Sequence, residues 1–293
     1  MLASWMEKRF KWIVTLPALL FVLVMMAFPI AYTLRLSFFE WSMSAASPPK
    51  WVGLDNYIAL FKDGRFWHAL GATAYFSFGA LAAETVLGVA IALLLHREFR
   101  GRGLAKTIFL LPMVATPVAM GLVWVLIYEP TNGIFNALLQ AIGLKPLHWL
   151  GSIGQVIPSL MVIDIWQWTP MVCLIVMAGL TTLPQEPYES ADVDGASRRQ
   201  KLWYITLPLL RPTILTAVML RLIDVIKTFD IIYATTQGGP GTASETLNIY
   251  GYVLAFQYFK LGLASSLLVV FFLLVMGLTL ALIVVRRNTE VSS

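Results

Sequence analysis

The sequence predicts an all-α membrane protein with about six transmembrane helices, and three observations carry that prediction. First, 58% of the 293 residues are hydrophobic and only 13% are charged, with a mean hydropathy of +0.76. A soluble domain is about 45–50% apolar and about 25% charged, and a water-soluble fold of this size cannot hide so much apolar surface. Second, several apolar runs reach the roughly 20 residues that cross a bilayer. Third, lysine and arginine are divided unequally between alternate loops, the mark of an inserted chain.

Residues 1–11 are short and basic, with Trp5 and Phe10 among them. The first span is expected at about 12–34. It is too long for a signal-peptide core, and no small-residue cleavage site follows it, so it is read as a retained helix. Further spans are expected at about 71–95, 107–127, 157–183, 213–233 and 265–285, followed by a tail, 286–293. Together 12–285 form one transmembrane domain. The fourth span is interrupted by Asp164 and Gln167. The fifth carries Arg221, Asp224, Lys227 and Asp230, so both have weaker hydropathy.

Thirteen lysines and arginines fall on one side of this arrangement: in the N-terminal segment, between spans two and three, between four and five, and in the tail. Six fall on the other side. That bias places both termini in the cytoplasm of a multi-pass protein, which requires an even number of spans. The longer loops, 37–70, 128–156 and 235–264, are then external. Their Trp41, Trp51, Trp67, Trp149, Tyr128 and Tyr250 suit an interfacial belt.

The formal charge of +5 follows from this topology. No basic stripe interleaves with exposed aromatics, so nucleic acid is not an expected partner. The single cysteine, Cys173, sits in an apolar run and reads as a small buried hydrophobe. The three histidines are scattered, with no metal-ligand spacing. No nucleophile–base cluster suggests an enzyme.

The most informative stretch lies between spans four and five, at 184–212. Pro184 and Pro187 end the fourth span. A short helix can begin near Pro187 with Glu189 in its first turn, where a carboxylate suits the helix dipole. Gly195 permits a sharp bend. A second short segment gathers Leu202, Trp203 and Ile205 near one face, and Pro208 and Pro212 are expected to stop it before the fifth span. The product is a helix–glycine–helix knuckle.

Order and spacing in this stretch resemble a known element. Glu189, Ser190 and Ala191 are followed by Gly195 and, after nine intervening residues, by Ile205-Thr206-Leu207-Pro208. This resembles the EAA loop of permease subunits of binding-protein-dependent ABC importers: Glu-Ala-Ala, three residues, Gly, about nine residues, Ile-x-Leu-Pro. Ser190 departs from the usual alanine but keeps a small residue. Gly53-Leu54-Asp55-Asn56-Tyr57, Phe66-Trp67-His68-Ala69-Leu70 and Thr236-Gln237-Gly238-Gly239-Pro240-Gly241 look like outer-loop pieces of the carbohydrate branch of that family.

The resemblance implies a type I importer permease fold in a bacterial inner membrane. It implies a second similar permease, two ATPase subunits and an external binding protein as partners, and a sugar, polyol or sugar derivative as cargo. The coupling loop, with Glu189, Ser190, Ala191, Asp194, Gly195, Ala196, Ser197 and Pro208, is expected to dock on an ATPase subunit. This chain lacks a G-x-x-x-x-G-K-[ST] phosphate loop. It is therefore expected to be no enzyme and to bind no cofactor, with ATP and Mg used by the partners.

The substrate pathway of such permeases is lined by the helices on either side of the coupling loop. Asp164, Gln167, Trp168, Arg221 and Asp224 fall there, with Pro117 in the third span. Arg221/Asp224 and Lys227/Asp230 are i, i+3 neighbours that can pair locally. Pro112 and Pro117 either free carbonyls toward a cavity or simply kink their helix. The competing reading is a stand-alone secondary transporter that uses the buried carboxylates as proton relays.

Overall fold

The computed structural model describes residues 2–43 and 48–291. Met1, residues 44–47 and residues 292–293, which belong to the predicted N-terminal segment, first external loop and tail, lie outside them. The described chain is helical with one small hairpin, and it divides into two units.

The first unit takes in residues 1–64 and 251–272. Its helix α1 (Leu2–Leu36) contains an apolar stretch, Thr15–Leu36, that is long enough to span and buries nothing within the protein. Such a helix is soluble only in lipid. A two-residue hairpin follows, β1 (Phe39–Glu40) against β2 (Lys50–Trp51), antiparallel with Phe39 opposite Trp51. The start of α2 (Asp55–Lys62) secures it: Asn56 Nδ2 donates to the carbonyls of Ser37 and Phe39 at 2.9 and 3.0 Å. At Gly262 a Cβ would lie 1.9 Å from the Phe39 carbonyl oxygen, so only glycine allows this approach.

The second unit takes in residues 65–250 and 273–293. Two long helices, α3 (Gly64–His96) and α7 (Val156–Thr181), pack with α10 (Leu207–Ile226) around a core of Ala92, Leu95, Val172, Cys173, Val176, Leu210 and Ala217. Cys173 is a core hydrophobe, as expected. Because lipid supplies no hydrophobic drive between helices, close approach of small residues does much of this work. A Cβ on Gly88 of α3 would stand 2.7 Å from Val172 Cγ1, and one on Gly179 of α7 would stand 2.6 Å from Thr213 Cγ2. Gly179→Ala should therefore lower thermal stability by roughly 1–3 kcal/mol through overpacking. Thr213→Ala in the same chain should recover most of that loss in a thermal-unfolding measurement.

The expected third span, 107–127, is not one helix. α4 (Arg102–Val114) and α5 (Pro117–Ile127) meet at an angle of 101°. Ala115 and Thr116 are extended, with ψ of 148° and 135°. The ring of Pro117 drives the preceding residue out of the helical region. Pro117 itself then starts α5, where its missing N–H costs nothing.

A short α6 (Ile134–Ala141) follows, and a tight aromatic cluster forms beside it. Tyr128, read from sequence as an interfacial residue, is buried there. Its ring stacks on Trp149, and its hydroxyl donates to the Ser159 carbonyl at 3.0 Å.

The expected fifth span, 213–233, also differs. α10 begins at Leu207 and ends at Ile226, and a separate turn, α11 (Asp230–Thr235), follows. Beyond the loop 236–246 come α12 (Leu247–Tyr252), a π turn (Val253–Gln257) and α13 (Leu261–Val291). Among the described residues, four helical stretches are long and apolar enough to cross a membrane: Thr15–Leu36, Gly64–His96, Val156–Thr181 and Leu261–Arg286. The bent α4–α5 pair would make a fifth.

Candidate substrate pathway and coupling knuckle

The buried centre of the second unit is ionic. Arg221 of α10, Glu84 of α3 and Asp164 of α7 converge, and each is at most 1% exposed. Arg221 Nε donates to Glu84 Oε2 at 2.6 Å, and Nη2 to Glu84 Oε1 at 3.0 Å. Nη2 also donates to Asp164 Oδ2. One planar guanidinium thus joins three helices, the fork geometry for which arginine is suited and lysine is not. Charges at membrane depth are expensive and must face protein or water, and here one guanidinium lies against both carboxylates.

This arrangement corrects the local pairing read from sequence. Arg221 pairs across helices rather than with Asp224. Asp224 instead faces Lys227 at 3.9 Å, and both are half exposed. Lys227 and Asp230 form no ion pair among the described residues. Glu84, in the expected second span, is not among the pathway residues expected from sequence. The signal was there: a lone glutamate in an apolar run needs a cation, and Arg221 is one of only two in the spans.

Beside the ionic centre lies a cavity of about 430 Å³. Pro117, Trp168, Arg221 and Asp224, four of the residues assigned from sequence to the pathway, line it together with Lys227, Phe229 and Asp230. The Arg221 guanidinium stands 5.3 Å from the Trp168 ring centroid, a cation–π contact that fixes both groups. Asp164 and Gln167 do not line the cavity; both are fully buried behind it. Asp164 reaches the cavity wall only by accepting from Arg221. Gln167 Nε2 donates at 3.1 Å to the carbonyl of Ala115, at the α4–α5 break. A carbonyl without an intrahelical donor is costly in a membrane, and Gln167 satisfies it. Pro117 thus breaks the helix, and the Ala115 carbonyl turns to Gln167 rather than into the cavity. The cavity therefore offers carboxylate and ammonium groups, guanidinium edges and two aromatic faces in one place.

The knuckle is built as the sequence suggests, with one correction. α8 (Glu186–Val193) has Pro187 in its first turn, with Glu186 and Glu189 beside it. It ends in a Schellman motif: Ala196 N donates to Ala191 O at 2.9 Å and Gly195 N to Asp192 O at 3.1 Å, with Gly195 at φ +72°. Ser197 then caps α9 (Arg198–Lys201). Its hydroxyl accepts from Gln200 N, while its own N–H donates to Gln200 Oε1 at 2.8 Å. Ser197-Arg198-Arg199-Gln200 is therefore a capping box, which the expected knuckle did not include. Lys201 returns to pair with Asp192 across the bend.

Pro208 and Pro212 do not stop the second segment. α9 runs through a π turn (Leu202–Thr206) directly into α10. Pro208 sits in the first turn of α10, where its ring is tolerated. The knuckle is therefore continuous with the helix that carries Arg221. Glu189, Ser190, Asp194, Gly195 and Ser197 are exposed, and Val193 is 89% exposed, a surface shaped for contact rather than burial.

Comparison with known proteins agrees with this architecture. Residues 84–289 match the family of binding-protein-dependent transport system inner membrane components. The chain is 36% identical over 270 residues to the probable ABC transporter permease protein y4oQ of Sinorhizobium fredii, covering 92% of this chain and 87% of that one. It is 35% identical over 284 residues to the trehalose/maltose transport system permease protein MalF of Thermococcus litoralis, covering 96% and 95%. In fold it matches a chain from the crystal structure of a bacterial ABC transporter involved in the import of the acidic polysaccharide alginate. That match has a TM-score of 0.85 at 23% identity and covers 98% of both chains. A membrane-helix bundle broken at Pro117, a cavity beside a buried ionic centre and a glycine-turned knuckle are thus the parts of a chain that belongs to the family of binding-protein-dependent transport system inner membrane components.

Proposed function

We propose that this chain is a sugar-translocating permease subunit of an ATP-driven importer. It works with a second similar permease, two ATPase subunits and an external binding protein. The observation that carries the sugar assignment is the cavity beside Arg221. A pyranose presents hydroxyls at its rim and C–H groups on its faces. Asp224, Lys227 and Asp230 suit the first, and Trp168 and Phe229 suit the second. The trehalose/maltose permease among its relatives supports a sugar cargo. The bent α4–α5 pair and α10 complete six spans with both termini in the cytoplasm.

In this mechanism the external protein captures the sugar and releases it to the cavity. The exposed knuckle, with Glu189 and Gly195, seats in a groove of an ATPase subunit, helix-in-groove recognition used to transmit motion. Because α9, the π turn and α10 are one helical path, movement of the knuckle reaches Arg221 and the cavity wall directly. An exposed helix–glycine–helix knuckle favours this reading over a stand-alone secondary transporter, which has no need of an ATPase docking element.

Trp168→Ala should test the cavity, with labelled trehalose and maltose as first probes. Losing one aromatic face is worth roughly 1.5 kcal/mol, about tenfold. That loss should appear in the maximal uptake rate. The concentration giving half-maximal uptake should hold, because capture belongs to the external protein. Unchanged uptake in an assembled Trp168→Ala complex would remove the cavity from the pathway.

A further inference from the structure

A second cavity, of about 690 Å³, lies on the knuckle side of the second unit. It opens where α3 ends at His96 and α7 at Thr181, the level at which membrane helices leave the hydrocarbon for the headgroups. Leu93, Leu180, Leu183 and Leu202 give it apolar walls. Arg97, Arg198, Arg199 and Lys201 give it a cationic lining, against one carboxylate, Glu98. Lys201 is neutralised by Asp192. No carboxylate lies within 4.0 Å of the guanidinium groups of Arg97, Arg198 or Arg199 among the described residues. Phe99, Trp203 and Tyr204 on the adjoining segments are exposed, as aromatic side chains are at an interface.

We infer that this cavity binds the phosphate of an anionic phospholipid, with the glycerol end of its acyl chains against the leucines. Three uncompensated guanidiniums favour a headgroup of net negative charge over a zwitterion, and a basic pocket between helices at headgroup level is the geometry for it. An ATPase surface is the less suited occupant. None of Glu189, Ser190, Asp194, Gly195 or Ser197, the exposed residues assigned to docking, lines the cavity, and the knuckle faces it instead with Tyr188, Arg198, Arg199 and Lys201.

The test is native mass spectrometry of the assembled importer equilibrated with phosphatidylglycerol, phosphatidylcholine or inorganic phosphate. Phosphatidylglycerol should be retained in preference to phosphatidylcholine, and millimolar phosphate should not displace it. Each arginine removed should cost about fivefold in affinity, so Arg97→Gln with Arg198→Gln and Arg199→Gln should cost about a hundredfold. Arg97→Gln alone, at the end of α3 and outside the knuckle, should cost about fivefold even if the triple variant fails to assemble. Arg100→Gln, exposed and outside the cavity, should change nothing. Equal retention of the two lipids, displacement by free phosphate, or lipid binding unaltered in the variants would each overturn the inference. So would loss of the ATPase subunits from the triple variant with its lipid retained.

Discussion

Arg221→Leu should all but abolish folded protein in the membrane. The replacement leaves Glu84 and Asp164 buried with no cation, and breaking a buried ionic group in this way costs about 3–5 kcal/mol. Whole proteins are stable by only about 5–15 kcal/mol. Glu84→Gln should be milder, because Arg221 keeps Asp164 as a partner. Arg221→Lys should fall between the two, since an ammonium cannot reproduce the paired bonds at 2.6 and 3.0 Å. The combination of Glu84→Gln, Asp164→Asn and Arg221→Leu should recover folded protein relative to Arg221→Leu alone, because no uncompensated charge remains. Fluorescence-detected size exclusion and thermal unfolding of the detergent-solubilised chain would rank the four. If Arg221→Leu were as stable as the parent, the ionic centre would not be holding the three helices together.

The second large effect belongs to the knuckle, and it should strike transport without striking the fold. Gly195 has φ +72°, and a Cβ there would meet nothing within 4 Å. The penalty for Gly195→Asp is therefore conformational, about 1–2 kcal/mol for a left-handed residue. It is paired with a new charge on the surface proposed to meet the ATPase. Glu189→Lys reverses the charge in the first turn of α8, where the dipole favours an acid. Both variants should insert and accumulate normally, lose co-purification of the ATPase subunits, and abolish uptake. Gly195→Asn, which tolerates the left-handed region better than most residues, should retain part of the activity. Normal docking and uptake in both severe variants would reduce the knuckle to a connector.

What the sequence revealed and what it concealed follow from the range of the interactions. Helix existence, the knuckle and the glycine turn depend on local order, and they were readable from apolar runs, Pro187 and Gly195. The break at Ala115–Thr116 was half readable: Pro117 marked the place, but only the folded chain shows a 101° turn rather than a kink. The Arg221 pairing was not readable, because Glu84 is 137 residues away, and the i, i+3 neighbour Asp224 offered a plausible local partner. The same holds for Gln167, whose partner carbonyl lies 52 residues earlier. Pro208 and Pro212 misled for a different reason. Proline ends a helix by losing a donor and by crowding the preceding turn, but Pro208 sits in the first turn of α10 beside the π turn, and α10 continues through Pro212 to Ile226.

The central claim, ATP-driven import through this chain, is tested most directly in proteoliposomes that hold it with its sister permease and ATPase subunits. Sugar-loaded binding protein outside and ATP inside should together give sugar accumulation and raised ATP hydrolysis. Omitting the ATPase subunits, or introducing Gly195→Asp, should abolish both. Accumulation by the chain without ATPase subunits, driven by a proton gradient alone, would contradict the account.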